Sequence, residues 1–446
     1  MQADIVTHVQ DAVRPGEVCD MYYSNQENSV KQAHPTTVEN RYLLDLNSKN
    51  FGSANTLIFN PDEGVGHIVL NLQLQAPGGS LTYQGLALNK GWGYNCIRRL
   101  GVRIGNSTLY YFSGDQLMMD ALSDCEDSVK KDVLFQLGGA PLVGGTAAST
   151  GAGDFASASN RTAYVYLKCP WNSPSAQEKM LPLPSDLLTS PIQINVEFKQ
   201  ANEFFLQSPV VNGGTTPVLP TVFDVAQAQW EQTHFDDRGE QLARKVNMSE
   251  MAYSYPLRYF AQEVFRLNSV PGGSLSSQTL TGLRSGNCLG IRIWCKSNDD
   301  ATVLGAGASG AQSVYAVPTQ LTLAVNGLIY FDSRNGQSQL WTLLDRKTPA
   351  QFSADTITVN EAGTAWATNS GTSSYWTFIP FAQHSEVLAN ETELTHGLSL
   401  MNSIVNLQIQ LPPTGVSGGT NTYTVTAEYI FNSTVLFSRG GAEYIF

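Results

Sequence analysis

One hairpin pattern is written twice, about half a chain apart, and that duplication limits what the chain can become. In the first copy Leu100, Val102 and Ile104 alternate along an extended run, Gly105-Asn106 makes a tight turn, and Leu109-Tyr110-Tyr111-Phe112 follows. The second copy has Leu321, Leu323 and Val325, then Asn326-Gly327, then Leu328-Ile329-Tyr330-Phe331. An extended run, an Asn/Gly turn and an aromatic run together signal a β-hairpin. A polar break and a Gln-Leu pair come after each block, Gln116-Leu117 in one and Gln339-Leu340 in the other. Recurrence on this scale predicts two copies of one β-rich domain.

Further landmarks keep the same order in both halves. Ile192-Gln-Ile-Asn-Val-Glu-Phe198 is echoed by Val405-Asn-Leu-Gln-Ile-Gln-Leu411, and Phe223 to Gly239 by Tyr423 to Gly440. The spacing between copies drifts from landmark to landmark, as loop insertions make it do. The partition expected is an arm over residues 1–35, a first domain over 36–237, a linker over 238–252 and a second domain over 253–446. The stretch from about Arg238 to Met251, with Glu240, Arg244, Lys245 and Glu250, reads as a charged helix.

The amino-acid balance fits short strands joined by turns. The chain has 446 residues, long enough for two ordinary cores, and 42% of them are hydrophobic. Only 14% are charged, against roughly 25% in average soluble proteins, and polarity comes instead from amides and hydroxyls. With 39 Gly and 20 Pro, long surface helices are disfavoured. A surface sparing in charge suits a protein that meets neighbours over much of its area.

Outside the hairpins, strands are expected near Arg41 to Leu46, Leu70 to Gln75, Ala163 to Leu167, Tyr259 to Leu267, Ile291 to Cys295 and Trp376 to Phe381. Leu181-Pro-Leu-Pro184 reads as a rigid extended connector. Between Asp115 and Leu137 apolar residues recur at three and four, which predicts one or two helices inserted in the first domain. Leu340 to Leu344 is the shorter counterpart in the second. Gly-rich stretches at 138–153, 305–310 and 362–371 read as exposed loops.

Several kinds of chemistry have no carrier in this sequence. The net charge is −12 with no basic run, so direct nucleic-acid binding is not expected. The acidic amino end does not read as a signal peptide, and no apolar stretch reaches membrane-span length. Cys19, Cys96, Cys125, Cys169, Cys288 and Cys295 form no CxxC pair and are expected as free thiols. The five sequons, at Asn106, Asn160, Asn247, Asn390 and Asn432, are expected to stay bare. His8, His34, His67, His234, His384 and His396 lack metal-site spacing, so no metal or cofactor is expected. Acidic clusters at Asp124-Glu126-Asp127, Asp236-Asp237 and Asp299-Asp300 read as solvated turns. Tyr110, Tyr111, Trp92 and Trp230 suit a core better than a stacking platform. No catalytic residue is expected.

Two β-rich halves of this size, each with a helical insertion, Gly-rich loops and the repeated Leu109 to Phe112 and Leu328 to Phe331 blocks, resemble the double jelly-roll major capsid proteins of icosahedral double-stranded DNA viruses. That lineage takes in nucleocytoplasmic large DNA viruses, virophages and adenovirus-like elements. The resemblance implies an all-β chain with small helical insertions, built as two tandem eight-stranded jelly rolls. It further implies a homotrimer with a pseudo-hexagonal outline that tiles a virion shell, made inside the host cell and not secreted. Penton and minor capsid proteins are the implied partners, with the arm at residues 1–35 lying against neighbours or an internal membrane. Two other classes are a glycan-binding or glycan-hydrolysing double jelly roll, for which Asp124 to Asp127 is the nearest candidate, and a viral assembly scaffold.

Overall fold

Both copies of the hairpin are present in the computed structural model, at the same place in two antiparallel β-sandwiches. The structure describes residues 37–59, 64–79, 81–105, 107–123, 128–144, 153–167, 183–184, 188, 190–207, 217–235, 253–269, 275–281, 287–297, 309–310, 315–316, 318–335, 355–359, 366–370, 377–381, 397–411, 421–438 and 441–445. The arm at 1–35, the charged stretch at 238–251, the Leu340 to Leu344 counterpart helix and the three acidic clusters lie outside these residues.

The first half supplies eight main strands: β1 (Thr37–Asp45), β2 (Ala54–Phe59), β3 (Gly64–Leu74), β4 (Ile97–Ile104), β5 (Ser107–Phe112), β6 (Thr162–Leu167), β7 (Ile192–Phe198) and β8 (Phe223–Phe235). They form two sheets, ordered β1-β8-β3-β6 and β2-β7-β4-β5. The second half runs β9 (Tyr253–Ser269), β10 (Ser276–Leu280), β11 (Asn287–Ser297), β12 (Gln320–Val325), β13 (Leu328–Asp332), β14 (Thr377–Pro380), β15 (Val405–Gln410) and β16 (Asn421–Ser438). Its sheets are β9-β16-β11-β14 and β10-β15-β12-β13, the same order strand for strand. A last strand, β17 (Gly441–Ile445), pairs with the end of β16.

Alternation in the sequence becomes sidedness in the sheets. Ile192, Ile194, Val196 and Phe198 face inward along β7 while the residues between them are half-buried. Val405, Leu407 and Ile409 do the same along β15. The pairing confirms the landmark match: Ile192 lies opposite Ile104, and Val405 opposite Val325. It also corrects one detail. Ser107 closes the first turn opposite Ile104, whereas Leu328 closes the second opposite Val325. Ser107 and Thr108 are therefore the counterparts of Leu328 and Ile329, and the two look-alike apolar blocks are displaced by two residues. Each hairpin then takes up a bulge within a few residues of the turn.

The helical period of the first half produces two helices, α1 (Gly114–Ser123) and α2 (Ser128–Leu137). The Ser113 hydroxyl accepts from the Gln116 amide and so caps α1. Gly138 and Gly139 end α2, the latter at a φ of 116° that a side chain resists. Parts of the Gly-rich stretches expected as loops are short strands instead. Leu142–Val143 pairs with Leu86–Leu88, Ser309–Gly310 with Leu206–Gln207, and Trp366–Ser370 with Asp355–Val359. Backbone amides left out of a ladder need partners, and these ribbons supply them. Leu183–Pro184 is extended as expected and pairs with the start of β3.

Each half encloses its own apolar core, but the two cores are not separate objects. Leu289, Trp294, Phe378 and Ile430 belong to the second half by sequence yet pack into the core of the first. No described helix is long and apolar enough to cross a membrane.

Candidate functional site

The most concentrated chemistry among the described residues lies where the halves meet. Helix α1, inserted just after β5, lies against the outer face of the β9-β16-β11-β14 sheet. Along β11 the outward residues are Arg292, Trp294 and Lys296, while Ile291, Ile293 and Cys295 point into the second core. Arg292 pairs across the ladder with Glu428 on β16, which in turn stands opposite Gln262 on β9. Position alone thus places a guanidinium, a carboxylate and an amide in one row.

Arg292 and Glu428 are 1% and 0% exposed, so neither charge has water to fall back on. Arg292 Nε donates to Glu428 Oε2 at 2.6 Å, and Nη2 makes a second, shorter contact with the same oxygen. Asp120 of α1, also buried, brings Oδ1 to 3.9 Å from Arg292 Nη2. Gln262 Nε2 donates to the other Glu428 oxygen at 3.2 Å. Burial pushes the Glu428 carboxyl above its usual range, and Arg292 opposes that shift. At the rim of the seam Lys296 Nζ and the Asp115 carboxylate of α1 approach to 2.6 Å.

Beside that pair stands Lys199, just past β7, whose Nζ donates to Asn95 Oδ1 at 3.0 Å. Desolvation, reinforced by the nearby Lys296 charge, lowers the Lys199 ammonium to about 8. The seam therefore combines apolar burial with fixed charge pairing and joins the two sandwiches into one unit.

The residues singled out in the sequence go elsewhere. Trp92 is core. Tyr111 is half-exposed, with the Arg99 guanidinium 3.5 Å above its ring, and Trp230 packs partly buried against the first core. Tyr110 lies on β5. His67 is exposed beside Tyr166, its Nδ1 3.3 Å from the hydroxyl. Among the described residues no group of three His, Cys, Asp or Glu is placed to hold a metal. Cys96, Cys288 and Cys295 are buried free thiols, and burial raises all three. Asn160 is exposed and holds the Asp154 carbonyl at 3.1 Å.

The seam itself was missed in the sequence. The available signal was isolated charge at mid-strand in a chain poor in charge: Arg292 within Ile291 to Cys295, and Glu428 within Tyr423 to Phe431. What no sequence pattern indicates is that the two meet, and that α1 covers them.

No protein-family model matches the sequence, and no curated protein matches it. Solved structures match along nearly the whole chain. The VP54 protein of PBCV-1, fitted into a reconstruction of the virophage Sputnik, superposes with a TM-score of 0.58 at 12% identity, over 94% of this chain and 99% of that one. The Faustovirus major capsid protein gives 0.56 at 8% identity, over 98% and 99%. The mavirus major capsid protein gives 0.52 at 10% identity, over 95% and 92%. The chain has the double jelly-roll fold. The strand order β1-β8-β3-β6 over β2-β7-β4-β5 is repeated in the second half of the double jelly roll, and the inserted α1 places Asp115 and Asp120 against the second roll.

Proposed function

We propose that this chain is a structural major capsid protein whose working unit is a homotrimer, and that the trimers tile an icosahedral virion shell. The observation that carries the reading is the near whole-length match to capsid proteins: the matches span 94–98% of this chain, far more than a single sandwich. The seam supports it. A shell subunit has to transmit lateral load between its two rolls, and a shared apolar core crossed by a buried charge row resists hinging. Residues 36–237 and 253–446 are the two rolls and 238–252 the link between them. Three chains then present six similar sandwiches, a near-hexagon that packs in a plane.

The partners follow from this role: other trimers at the sides, penton and minor capsid proteins at the vertices and base, and an internal membrane or neighbour for residues 1–35. A net charge of −12 argues against direct contact with the genome. The test is the mass of the purified full chain by light scattering, with electron microscopy of concentrated samples. A trimer, and hexagonal arrays or shells, are expected. A monomer at all concentrations that forms no arrays overturns the proposal.

A further inference from the structure

Lys199 and Asn95 are far apart in the chain and meet at one end of the β7–β4 ladder. Phe198 pairs with Ile97 after a bulge in β7, and the Lys199 amide then donates to the Cys96 carbonyl at 2.8 Å. That bond carries the pairing one residue further, to the end of the one-turn helix Trp92–Asn95. There Lys199 Nζ comes to 3.0 Å from Asn95 Oδ1. Backbone pairing thus holds an amine against an amide carbonyl 104 positions away in sequence.

The surroundings suit chemistry between the two. Cys96, Ile97 and Phe198 are buried, so the amine stands at the border of the first core. Lys296 of the second roll and Asp115 of α1, paired with each other at 2.6 Å, both act on it. Desolvation first and the Lys296 charge second hold the Lys199 ammonium at about 8, so the amine is largely neutral in mild alkali. A neutral amine is a nucleophile and an ammonium is not. The first turn of α1 is seated on the segment that carries Asn95: a Cβ on Gly114 would collide with the carbonyl oxygens of Tyr94 and Ile97, on either side of it. Asp115, the next residue, brings a carboxylate to this place. Glu203, the other carboxylate acting on Lys199, is engaged by Arg98 and the Gln200 amide. The Cys96 thiol donates to the Gly93 carbonyl, and burial keeps it protonated.

We propose that Lys199 and Asn95 join in an intramolecular isopeptide bond, made by the folded chain itself. Lys199 Nζ attacks Asn95 Cγ, the Nζ–Cγ bond forms, and the Cγ–Nδ2 bond breaks. Asp115 takes one proton from the attacking nitrogen and delivers it to the leaving one, which departs as ammonia. Nothing is oxidised or reduced. One amide replaces another, and both residues are half-buried, so escape of ammonia to solvent drives the exchange. The fold contributes by holding the reacting groups together before the step begins. The product ties the end of β7 to the segment before β4, beside the seam, and closes a covalent loop that persists when the chain unfolds.

Intact mass and tryptic mapping of the full-length protein test this. Wild type purified at pH 7 and then held at pH 9 is expected to lose the mass of one ammonia. Its digest should contain a branched peptide joining residues 91–98 to residues 180–238, uncut after the linked Lys199. The rate should follow the neutral fraction of the amine and be about tenfold higher at pH 9 than at pH 7. Lys199→Arg and Asn95→Ala should keep their full mass, and Asp115→Asn should slow the loss roughly a hundredfold. Wild type that keeps its full mass at pH 9, or that loses ammonia without giving the branched peptide, overturns the proposal, whatever the variants do. A branched peptide that forms as fast in Asp115→Asn overturns the proton transfer through Asp115. Neither result bears on the trimer.

Discussion

Replacing Arg292 by Met should do more damage than removing the whole charge cluster around it. In Arg292→Met the Glu428 carboxylate stays fully buried and keeps only the Gln262 amide at 3.2 Å, with the buried Asp120 of α1 close to the vacated position. Breaking a buried pair in this way costs about 3–5 kcal/mol, because it leaves a charge with neither water nor a counter-charge. For a roll of this size, about 2–4 °C of melting temperature per kcal/mol makes that a drop of roughly 6–20 °C. The triple variant Asp120→Asn/Arg292→Met/Glu428→Leu removes all three charges and should lie within about 2 kcal/mol of wild type, since a buried ion cluster roughly breaks even against apolar packing.

The single variant also strengthens a pH dependence whose sign burial of Glu428 already sets. Without Arg292 the folded Glu428 pKa rises further above its unfolded value, so the folded state binds more protons. Stability is then greatest below the unfolded carboxyl value of about 4.3 and is lost as pH rises through the folded value. Thermal unfolding of the three proteins at pH 5 and pH 8 measures both effects. A single variant that melts with the wild type at pH 8, or a triple variant as unstable as the single, would refute the claim that this pair is desolvated and mutually dependent.

Lys199 titrates in the opposite sense. Its folded pKa of about 8 lies below the usual lysine value, so the unfolded chain binds more protons between about 8 and 10.4 and stability rises with pH across that window. Lys199→Met should therefore raise the melting temperature at pH 7, and its advantage should shrink by pH 10. In Gly114→Ala the new Cβ would meet the Tyr94 carbonyl oxygen at 2.0 Å at the start of the seam helix, and a loss of about 1–3 kcal/mol in chemical denaturation is expected. Asn326→Gly keeps the positive φ of the turn but removes the side-chain bonds to Ile404 and Ser403. Hydrogen exchange should then quicken at the Ile404 amide with little change in melting temperature. Cys96, Cys288 and Cys295 should resist an aqueous thiol reagent until the protein is denatured, because burial holds their thiols protonated.

Most of the strands could be read from the sequence because their determinants are local. Period-two alternation in Ile192 to Phe198 and Val405 to Leu411, and Asn/Gly turns at Gly105 and Asn326, fix sidedness and direction within a few residues. Repetition in order then carried the inference from strands to a duplicated domain. Register did not follow, since two look-alike aromatic blocks invite an alignment that the ladders place two residues away.

The seam lay further out of reach. Arg292 and Glu428 are more than a hundred positions apart, and Asp120 belongs to the other half of the chain. A charge in a strand reads as a surface residue until something is known to cover it. The sequence by itself determined that this chain makes two like sandwiches, because alternation and turns are properties of neighbouring residues. Only the tertiary structure decided that α1 of the first half covers a sheet face of the second, because burial depends on which distant surfaces meet.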